Sequence, residues 1–571
     1  MKKWNVRQPD EAKQRSLSDE LSVSRVIAQL LLNRGLCDAE RARTFLTGGV
    51  AELYNPFLME GIHEAVARIK RAIAKKEKIL IHGDYDVDGI TSIALMVFTL
   101  RDLGADPLYY IPDRLTEGYG LSSGGVEEAV RSGASLVVTV DCGISSREEV
   151  KSLNSRGIDV VITDHHEVPE VLPPAYAIIN PLQKHCAYPD KNLSGVSVAF
   201  KLCEALCSEF RNRDVWRYLD LVALGTVSDV APLTGENRIL VREGLKSLKN
   251  GGVNKGIKAL IEASGIRTKE PGSFEIGFIL GPRINAAGRL GSARDAVELL
   301  ISDDEVRAMT LAEKLNRANR ERQKIEGLTL KEAMSKVERE INFKEHKVIV
   351  LHKEKWHTGV IGIVASRISD RFYRPCIMIS TKDGIGRGSG RSIENFHLFE
   401  AIARCGDFLK EYGGHKYACG LTIGEENLTR FIKSINEIAD TVLTSDDLIP
   451  GLDIDMEISL DSLDEGVIED MNRLQPFGES NPEPVFCSRG LSLARPLRII
   501  KDEHVKLWFS AGNRTFEAIG FGLARNSDAE AIIKKSPAID IAYTASFNHW
   551  QGIRTIQLKI KDIKPSLPCR L

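Results

Sequence analysis

Four short stretches carry acids and histidines at spacings that could do chemistry: "HGDYDVDG" from His82, "TVDCG" with Asp141, "TDHH" with Asp164, His165 and His166, and "TVSDVAPL" with Asp229. Asp84, Asp86 and Asp88 alternate, so any extended portion would put all three on one face. Gly89 then lets the chain turn into the next helix. Three acids on one face repel one another unless a cation sits between them. A calcium loop shares the DxDxDG start but needs Glu at its twelfth position, and that position, counted from Asp84, is Leu95. Singly, each acid or histidine has an ordinary explanation as a helix cap or a satisfied polar group. Together they form one mixed Asp/His set, which points to a metal centre. Four or more carboxylates with one or two imidazoles exceed what one open catalytic site needs. Two divalent ions about 3.5–4 Å apart, sharing a carboxylate, would activate water for attack on phosphorus. The donor set favours Mn²⁺ at two sites, with Mg²⁺ as the rival.

The elements around these residues explain how they could meet. "KILIHGD", "DPLYYIPD", "SLVVTVDCG", "DVVITDHH" and "AYAIINP" are short β-branched runs that end in polar or turn residues. Helical patterns such as "ITSIALMVFTLRDLG" and "SSREEVKSLNSRG" lie between them. This alternation predicts parallel βαβ units in a doubly wound sheet, with ligands beyond the carboxyl ends of the strands. A long helical pattern runs from about Ser302 to Glu340, with Asp303 and Asp304 at its start, as a connecting rod or a rod with one break. A second α/β segment follows: "HKVIVLH", "GVIGIVASRISDRF" and "PCIMIS". From about Gly451 short alternating runs, among them "HVKLWFSAGNRTFEAIGFG" and "IAYTASFNHWQGIRTIQLKI", predict hairpins of a small β-barrel.

Composition narrows the class. With 571 residues, 43% hydrophobic and 27% charged, the chain is an ordinary soluble globular protein of several domains. The start "MKKWNVRQPDEAKQ" is no secretory signal, and no apolar stretch approaches the roughly 18 residues that span a bilayer. The expected location is therefore the cytoplasm, away from membranes. Ten cysteines without a CxxC pair read as reduced, mostly buried thiols. Net charge is −2, so polyanion binding needs a local patch. The tail from Ala494 to Leu571, with 13 Lys/Arg and 7 Asp/Glu, is a candidate.

"HGDYDVDG", "VDCG", "DHH" and "SDVAPL", in that order, resemble the DHH phosphoesterases, most closely those members that are 5′-to-3′ exonucleases specific for single-stranded DNA. The resemblance runs from about residue 50 to near the C-terminus. It implies an α/β multidomain protein: a parallel-sheet DHH domain and a DHH-associated α/β domain joined by a long helix, plus a C-terminal β-barrel of the OB type. The boundaries read as 1–60 for an N-terminal segment, 61–235 for the catalytic domain and 236–345 for the helical connector. Residues 346–447 form the substrate-binding domain and 448–571 the OB-fold. The implied metal ligands are Asp86, Asp88, Asp141, His165 and Asp229, with Asp84 or His82 completing one shell. Asp141, His165, His166 and Asp229 would be catalytic, His166 standing by the scissile phosphate and not as a primary ligand.

The same resemblance gives roles to basic residues whose own pattern is weaker. "GPRINAAGRLGSA" brings Arg283, Asn285 and Arg289 among small residues that let a phosphate backbone approach. The same stretch could equally be a Gly-rich helix end with surface arginines. "GIGRGSGRS" is expected to form a glycine nest for an anion, with Arg387 and Arg391 adding charge. By resemblance Ser389 and Arg391 take the terminal phosphate, and His415 of "YGGHKYACG" the phosphate near the metals. Arg114 of "YIPDR" would be a second clamp. In the barrel, Trp508, Phe516, Phe521, Tyr543, Phe547 and Trp550 interleave with Lys506, Arg514 and Arg554. Half or more of these aromatics must be core; the rest suit single-strand stacking. The rod adds Arg317, Arg320, Arg322 and Lys324 along a strand path, or on a solvated face. The expected partners are single-stranded DNA, a helicase and a single-strand-binding protein, with the chain as a monomer. The rival is a DHH phosphodiesterase for oligoribonucleotides or cyclic dinucleotides, which would leave the barrel without a role.

Overall fold

The structure is a computed structural model. It describes residues 2–114, 116–210, 214–251, 254–266, 271–525, 531–534, 536–550 and 553–566. The chain divides into two units, one of residues 54–231 and 243–449 and the other of 1–53, 232–242 and 450–571.

The first unit is built on two sheets. Strands β1 (Ile79–Gly83), β2 (Leu108–Tyr110), β3 (Leu136–Val140), β4 (Asp159–Thr163) and β5 (Ala177–Ile179) lie in the order β2-β1-β3-β4-β5, all parallel. Every residue of β1 and β3 is buried, as expected of strands covered on both faces. The order reverses between β1 and β3, so the crevice beyond their carboxyl ends is the topological switch point where such sheets bind ligands. Helices α1 (Val87–Asp102), α2 (Gly195–Glu209) and α3 (Leu219–Ser228) pack together beside this crevice. Beyond them come α4 (Gly281–Leu290) and the rod α5 (Glu305–Glu340), 36 residues without a break. Asp304 caps α5, accepting hydrogen bonds from the Val306 and Arg307 amides at 2.8 and 3.2 Å.

The second sheet contains β6 (Ile349–Glu354), β7 (Cys376–Lys382), β8 (Ile385–Arg391), β9 (Leu409–Gly414) and β10 (Ala418–Gly424) in the order β9-β10-β8-β7-β6. The run "GIGRGSGRS" is strand β8 at its centre, paired along its length with β7 and β10. No anion nest forms there, because the ladder already engages the amides. The glycines serve packing instead: a Cβ on Gly386, Gly388 or Gly390 would meet Ile379, Leu421 or Leu398 at 2.7–2.8 Å. The period of two leaves Arg387, Ser389 and Arg391 together on the opposite face.

The other unit holds the expected β-barrel. Strands β11 (Met456–Glu457), β12 (Phe486–Leu491), β13 (Arg498–Ile500), β14 (His504–Ala511), β15 (Arg514–Gly520), β16 (Ile539–Trp550) and β17 (Ile553–Pro565) run in the order β11-β12-β16-β17-β15-β14-β13. A bridge from Leu493 to Phe509 joins across the curl. Residues 1–53 do not stand apart. Lys3–Val6 pairs in parallel with Gly451–Ile454, and Leu17, Ile27 and Leu30 share one core with Phe486, Phe509 and Leu558. Buried Arg238 donates to the carbonyls of Phe45, Arg473 and Leu474, and Asn481 to those of Leu474 and Pro476. The "LQPFGESNPEPVF" stretch is therefore fixed by buried polar ties within this unit. Phe516 and Tyr543 are core, whereas Phe521 is exposed and Trp508 and Phe547 are half-buried. Lys506 lies over the Trp508 ring and Arg554 over Phe547, at 5.6 and 4.2 Å. The side chain of Trp550 lies outside the described residues. Among the described residues nine cysteines are free and all but Cys37 are buried, and no helix is long and apolar enough to cross a membrane.

Candidate metal centre and phosphate cluster

The three acids after β1 do not share an extended face. Asp84 lies in the loop, Asp86 caps α1, accepting from the Asp88 and Gly89 amides at 3.0 and 3.2 Å, and Asp88 sits in the first helical turn. Helix formation thus splits the set. Asp84 and Asp86 join Asp141, while Asp88 joins His165 and Asp229; in each trio the ligand atoms lie within 4.8 Å of one another. Asp141, His165 and His166 form a third, overlapping group. Gly89 is needed less for a turn than for approach: a Cβ there would meet the Asp84 carbonyl oxygen at 2.5 Å. Gly195 is constrained by the site itself, since its Cβ would meet Asp141 Oδ1 at 2.3 Å. Asp141 holds a left-handed φ of 60°, and Val230, directly after Asp229, one of 62°. Asp tolerates that region, but a β-branched Val does not, and strain of this kind gathers at functional sites.

The electrostatics call for cations. Asp84 Oδ1, Asp141 Oδ1 and His165 Nε2 are buried without a hydrogen-bond partner. His165 Nε2 and Asp141 Oδ1 come within 3.1 Å but lack hydrogen-bond geometry, the posture of two groups facing a third. Burial, then the charge of Asp86, pushes Asp84 up to about 8 and Asp88 to about 7. Asp229 rises to about 9 from burial and from Asp88, and Asp141 goes well above the carboxylate range from the same causes. Burial pushes His165 down to about 4, so it is a neutral donor. Buried, mutually repelling carboxylates with orphaned oxygens beside a neutral imidazole fit hard or borderline divalent cations. Asp88 is anchored as well: its two oxygens accept from the Gly195 and Val196 amides at 2.7 and 2.8 Å, the N-terminus of α2.

His82 is in none of these groups. It is buried with its ring on Tyr110 and Nδ1 3.8 Å from Cys142 Sγ, and burial lowers it to about 4. Asp84 is the residue that stands with Asp86 and Asp141. Asp164 is a positioning residue: its oxygens accept from the amides of Ile144, His165 and His166 and from His166 Nδ1, the last at 2.7 Å. Burial opposes its charge, but these bonds outweigh burial and hold it below the ordinary range. Burial likewise opposes charge on His166, yet the Asp164 carboxylate raises its pKa overall. The Asp164 carboxylate thus favours the protonated form of His166 at the rim of the site. Tyr119, whose hydroxyl lies 2.8 Å from His166 Nδ1, was not among the sequence candidates. It is 47 residues from His166 in a Gly/Ser loop, and no local pattern marks it.

Basic residues gather nearby. Arg114 lies over the Tyr85 ring at 5.0 Å and acts on the charge of Asp84. Arg289 is lowered to about 10 by burial, then by Arg114, Arg322 and Arg391. Arg391 is lowered by burial and Arg114, and its Nη1 donates to Ser389 Oγ at 3.2 Å. Arg114, Arg289, Arg391 and Ser389 therefore form one cluster. Asn285 is half-buried one turn before Arg289. Arg283 is held elsewhere, donating to Ile279 O at 2.6 Å and Asn316 Oδ1 at 3.1 Å, with Arg320 as its like-charged neighbour. His415 is exposed in the β9–β10 turn, and among the described residues no hydrogen bond or ion pair joins its side chain to the carboxylates. A cavity of about 640 Å³ behind Arg114 and Tyr85, lined also by Tyr109 and Arg294, contains none of the carboxylates of the trios.

Comparison with known proteins follows this division. The DHH family N-terminal domain matches residues 78–226, the DHHA1 domain 345–441 and the RecJ OB domain 454–562. The single-stranded-DNA-specific exonuclease RecJ of Bacillus subtilis is 41% identical over 98% of this chain and 70% of its own length. The RecJ of Dickeya dadantii is 36% identical over 95% and 96%. The chain belongs to the RecJ family. Crystal structures of Thermus thermophilus RecJ with Mn²⁺ and with Mg²⁺ match at TM-scores of 0.84 and 0.79. They are 31% and 30% identical, and each match covers 99% of this chain and 80% or 79% of the other. The carboxylate–imidazole groups of the present chain are fit to hold the same kind of ion.

Proposed function

We propose that this chain is a single-strand-specific DNA exonuclease that works from the 5′ end, hydrolysing phosphodiester bonds with two divalent cations and releasing 5′-mononucleotides. The observation that carries the reading is the meeting of two sets: orphaned carboxylate and imidazole atoms at the switch point, and a half-buried arginine cluster of which Arg114 acts on the charge of Asp84. Asp84, Asp86 and Asp141 would hold one cation, and Asp88, His165 and Asp229 the other. When bound, such ions supply Lewis acidity and make water at the site acidic enough to attack phosphorus at neutral pH. His166, whose protonated form Asp164 favours, faces the scissile phosphate and offsets its charge. Arg289, Arg391 and Arg114, with Ser389, take the terminal 5′-phosphate, which fixes the cut at a set distance from the end. Asn285 and His415 contribute along the same strand path. The barrel surface bearing Trp508, Phe521 and Phe547 binds single-stranded nucleotides by stacking. The same reading places the chain in the cytoplasm, as a monomer, in repair and recombination beside a helicase and a single-strand-binding protein.

The test is a single-stranded oligonucleotide labelled at its 3′ end, with Mn²⁺. A ladder shortening from the 5′ end, absent on blunt duplex and absent with Asp141→Ala, is the expected result. An intact strand alongside hydrolysis of a cyclic dinucleotide or short RNA would replace this reading with the small-substrate one.

A further inference from the structure

The helix that carries Arg289 begins earlier, at Ser273, and contains a π turn at Ile276–Leu280, closed by the Gly281 amide bonding to the Ile276 carbonyl. Single π turns of this kind gather at functional sites. This one presents two phenylalanines to solvent, Phe274 at 63% and Phe278 at 72% exposure, stacked on each other with ring centroids 5.0 Å apart. An isolated exposed apolar residue needs no explanation, but a stacked aromatic pair held outward has an unmet partner. Its surroundings say which. On the adjoining face of the helix, a Cβ on Gly277 would touch Val227, and one on Gly281 would meet Ser228 Oγ at 2.6 Å. The phenylalanine turn is thus seated on the end of α3, immediately before Asp229. Arg283 bonds to the Ile279 carbonyl beside Phe278, and its charge is felt against that of exposed Arg320. Arg320 has no ion-pair partner among the described residues. Aromatic faces with unneutralised guanidiniums are the chemistry of single-strand binding: bases stack, phosphates meet the cations.

The helix also sets the polarity. Its far end, at Gly288 and Arg289, touches Tyr85 and the arginine cluster; its near end lies beside Asp229. About 15 Å of helix separates the two. We propose that Phe274 and Phe278, with Arg320 and Arg283, form a stacking platform for the nucleotides immediately 3′ of the cleaved bond. This rests on the reading of the arginine cluster as the 5′-phosphate site. The platform would hold the downstream strand in line while the terminal nucleotide is removed.

The test compares wild type, Phe274→Leu/Phe278→Leu and Phe278→Trp, each with Mn²⁺, on 5′-phosphorylated single strands carrying one abasic residue at successive positions. In wild type, an abasic residue just 3′ of the first cleaved bond should raise KM about 10-fold with kcat little changed. The double leucine variant should show that raised KM on intact strands and lose the position dependence. Phe278→Trp, which keeps a stacking face, should retain the position dependence that the leucine pair loses. Equal KM values in all three proteins, or abasic sensitivity confined to the 5′ nucleotide, would overturn the platform. A surface for a protein partner would give that same null result. Failure of wild type to cut single strands at all would instead overturn the exonuclease reading.

Discussion

Two sets of like charge lie close together in the larger unit, and the protein treats them differently. The carboxylates are packed by backbone: strand ends, the α1 and α2 N-termini and the glycine at 195 hold them, and two oxygens and a ring nitrogen are left unpaired. The arginines keep partners of their own, such as the Gly359 carbonyl for Arg289 and the Gly390 carbonyl for Arg391, at 3.0 and 2.7 Å. A crowded carboxylate set with orphaned oxygens demands permanent cations. Guanidiniums with weak local acceptors can exchange them for a phosphate that comes and goes. The first set is built for a resident ligand, the second for a transient one.

The comparison breaks most visibly at Asp141, which belongs to two of the three groups. Asp141→Ala should lower kcat by at least about 10³-fold, the scale of removing a preorganised electrostatic element, while single-strand binding measured by anisotropy persists. Loss of strand binding with intact turnover would reverse the roles of the two sets. At the arginine cluster, Arg391→Ala should raise KM about 10- to 100-fold for 5′-phosphorylated strands, in keeping with the roughly 1.5–3 kcal/mol of a hydrogen bond to a charged group. The same variant should leave 5′-hydroxyl strands unaffected. An equal loss on both ends would remove the terminal phosphate from that site. Asp164→Asn should act through His166, costing about 10-fold in kcat and moving the alkaline limb of the pH–rate profile to lower pH. An unmoved limb would leave Asp164 as packing only.

A smaller effect concerns stability. Asp84, Asp88 and Asp229 are raised in the fold to about 8, 7 and 9. A raised acid contributes stability that is full below its unfolded value and lost as pH climbs through the folded one. Metal-free protein should therefore lose Tm progressively between about pH 4 and about pH 9, from the ordinary carboxylate value up to the raised ones, and Mn²⁺ should restore more of it at the upper end. A flat metal-free profile would mean that these carboxylates are not forced together.

Much of this was legible in the residues because strand period and strand ends are local signals. "SLVVTVDCG" and "DVVITDHH" told where Asp141 and His165 would fall. What was misread depended on long-range partners. The alternation of Asp84, Asp86 and Asp88 suggested one extended face, but the cap at Asp86 started a helix and parted the trio. The glycines of "GIGRGSGRS" suggested a loop, because their packing against Leu398 and Leu421 cannot be seen along the chain. Residues 1–53 gave no sign that their helices complete the barrel's core. Nothing along the chain marks Phe274 and Phe278; exposure, unlike hydrophobicity, is decided by the whole fold.

The direct test of the resident-ligand claim is to count Mn²⁺ bound by metal-free chain, by calorimetric titration with electron paramagnetic resonance. Two ions per chain are expected, close enough to couple magnetically, with loss of one of them in Asp141→Ala. Binding of no ion, or of two ions unaffected by that substitution, would contradict the resident-ligand claim.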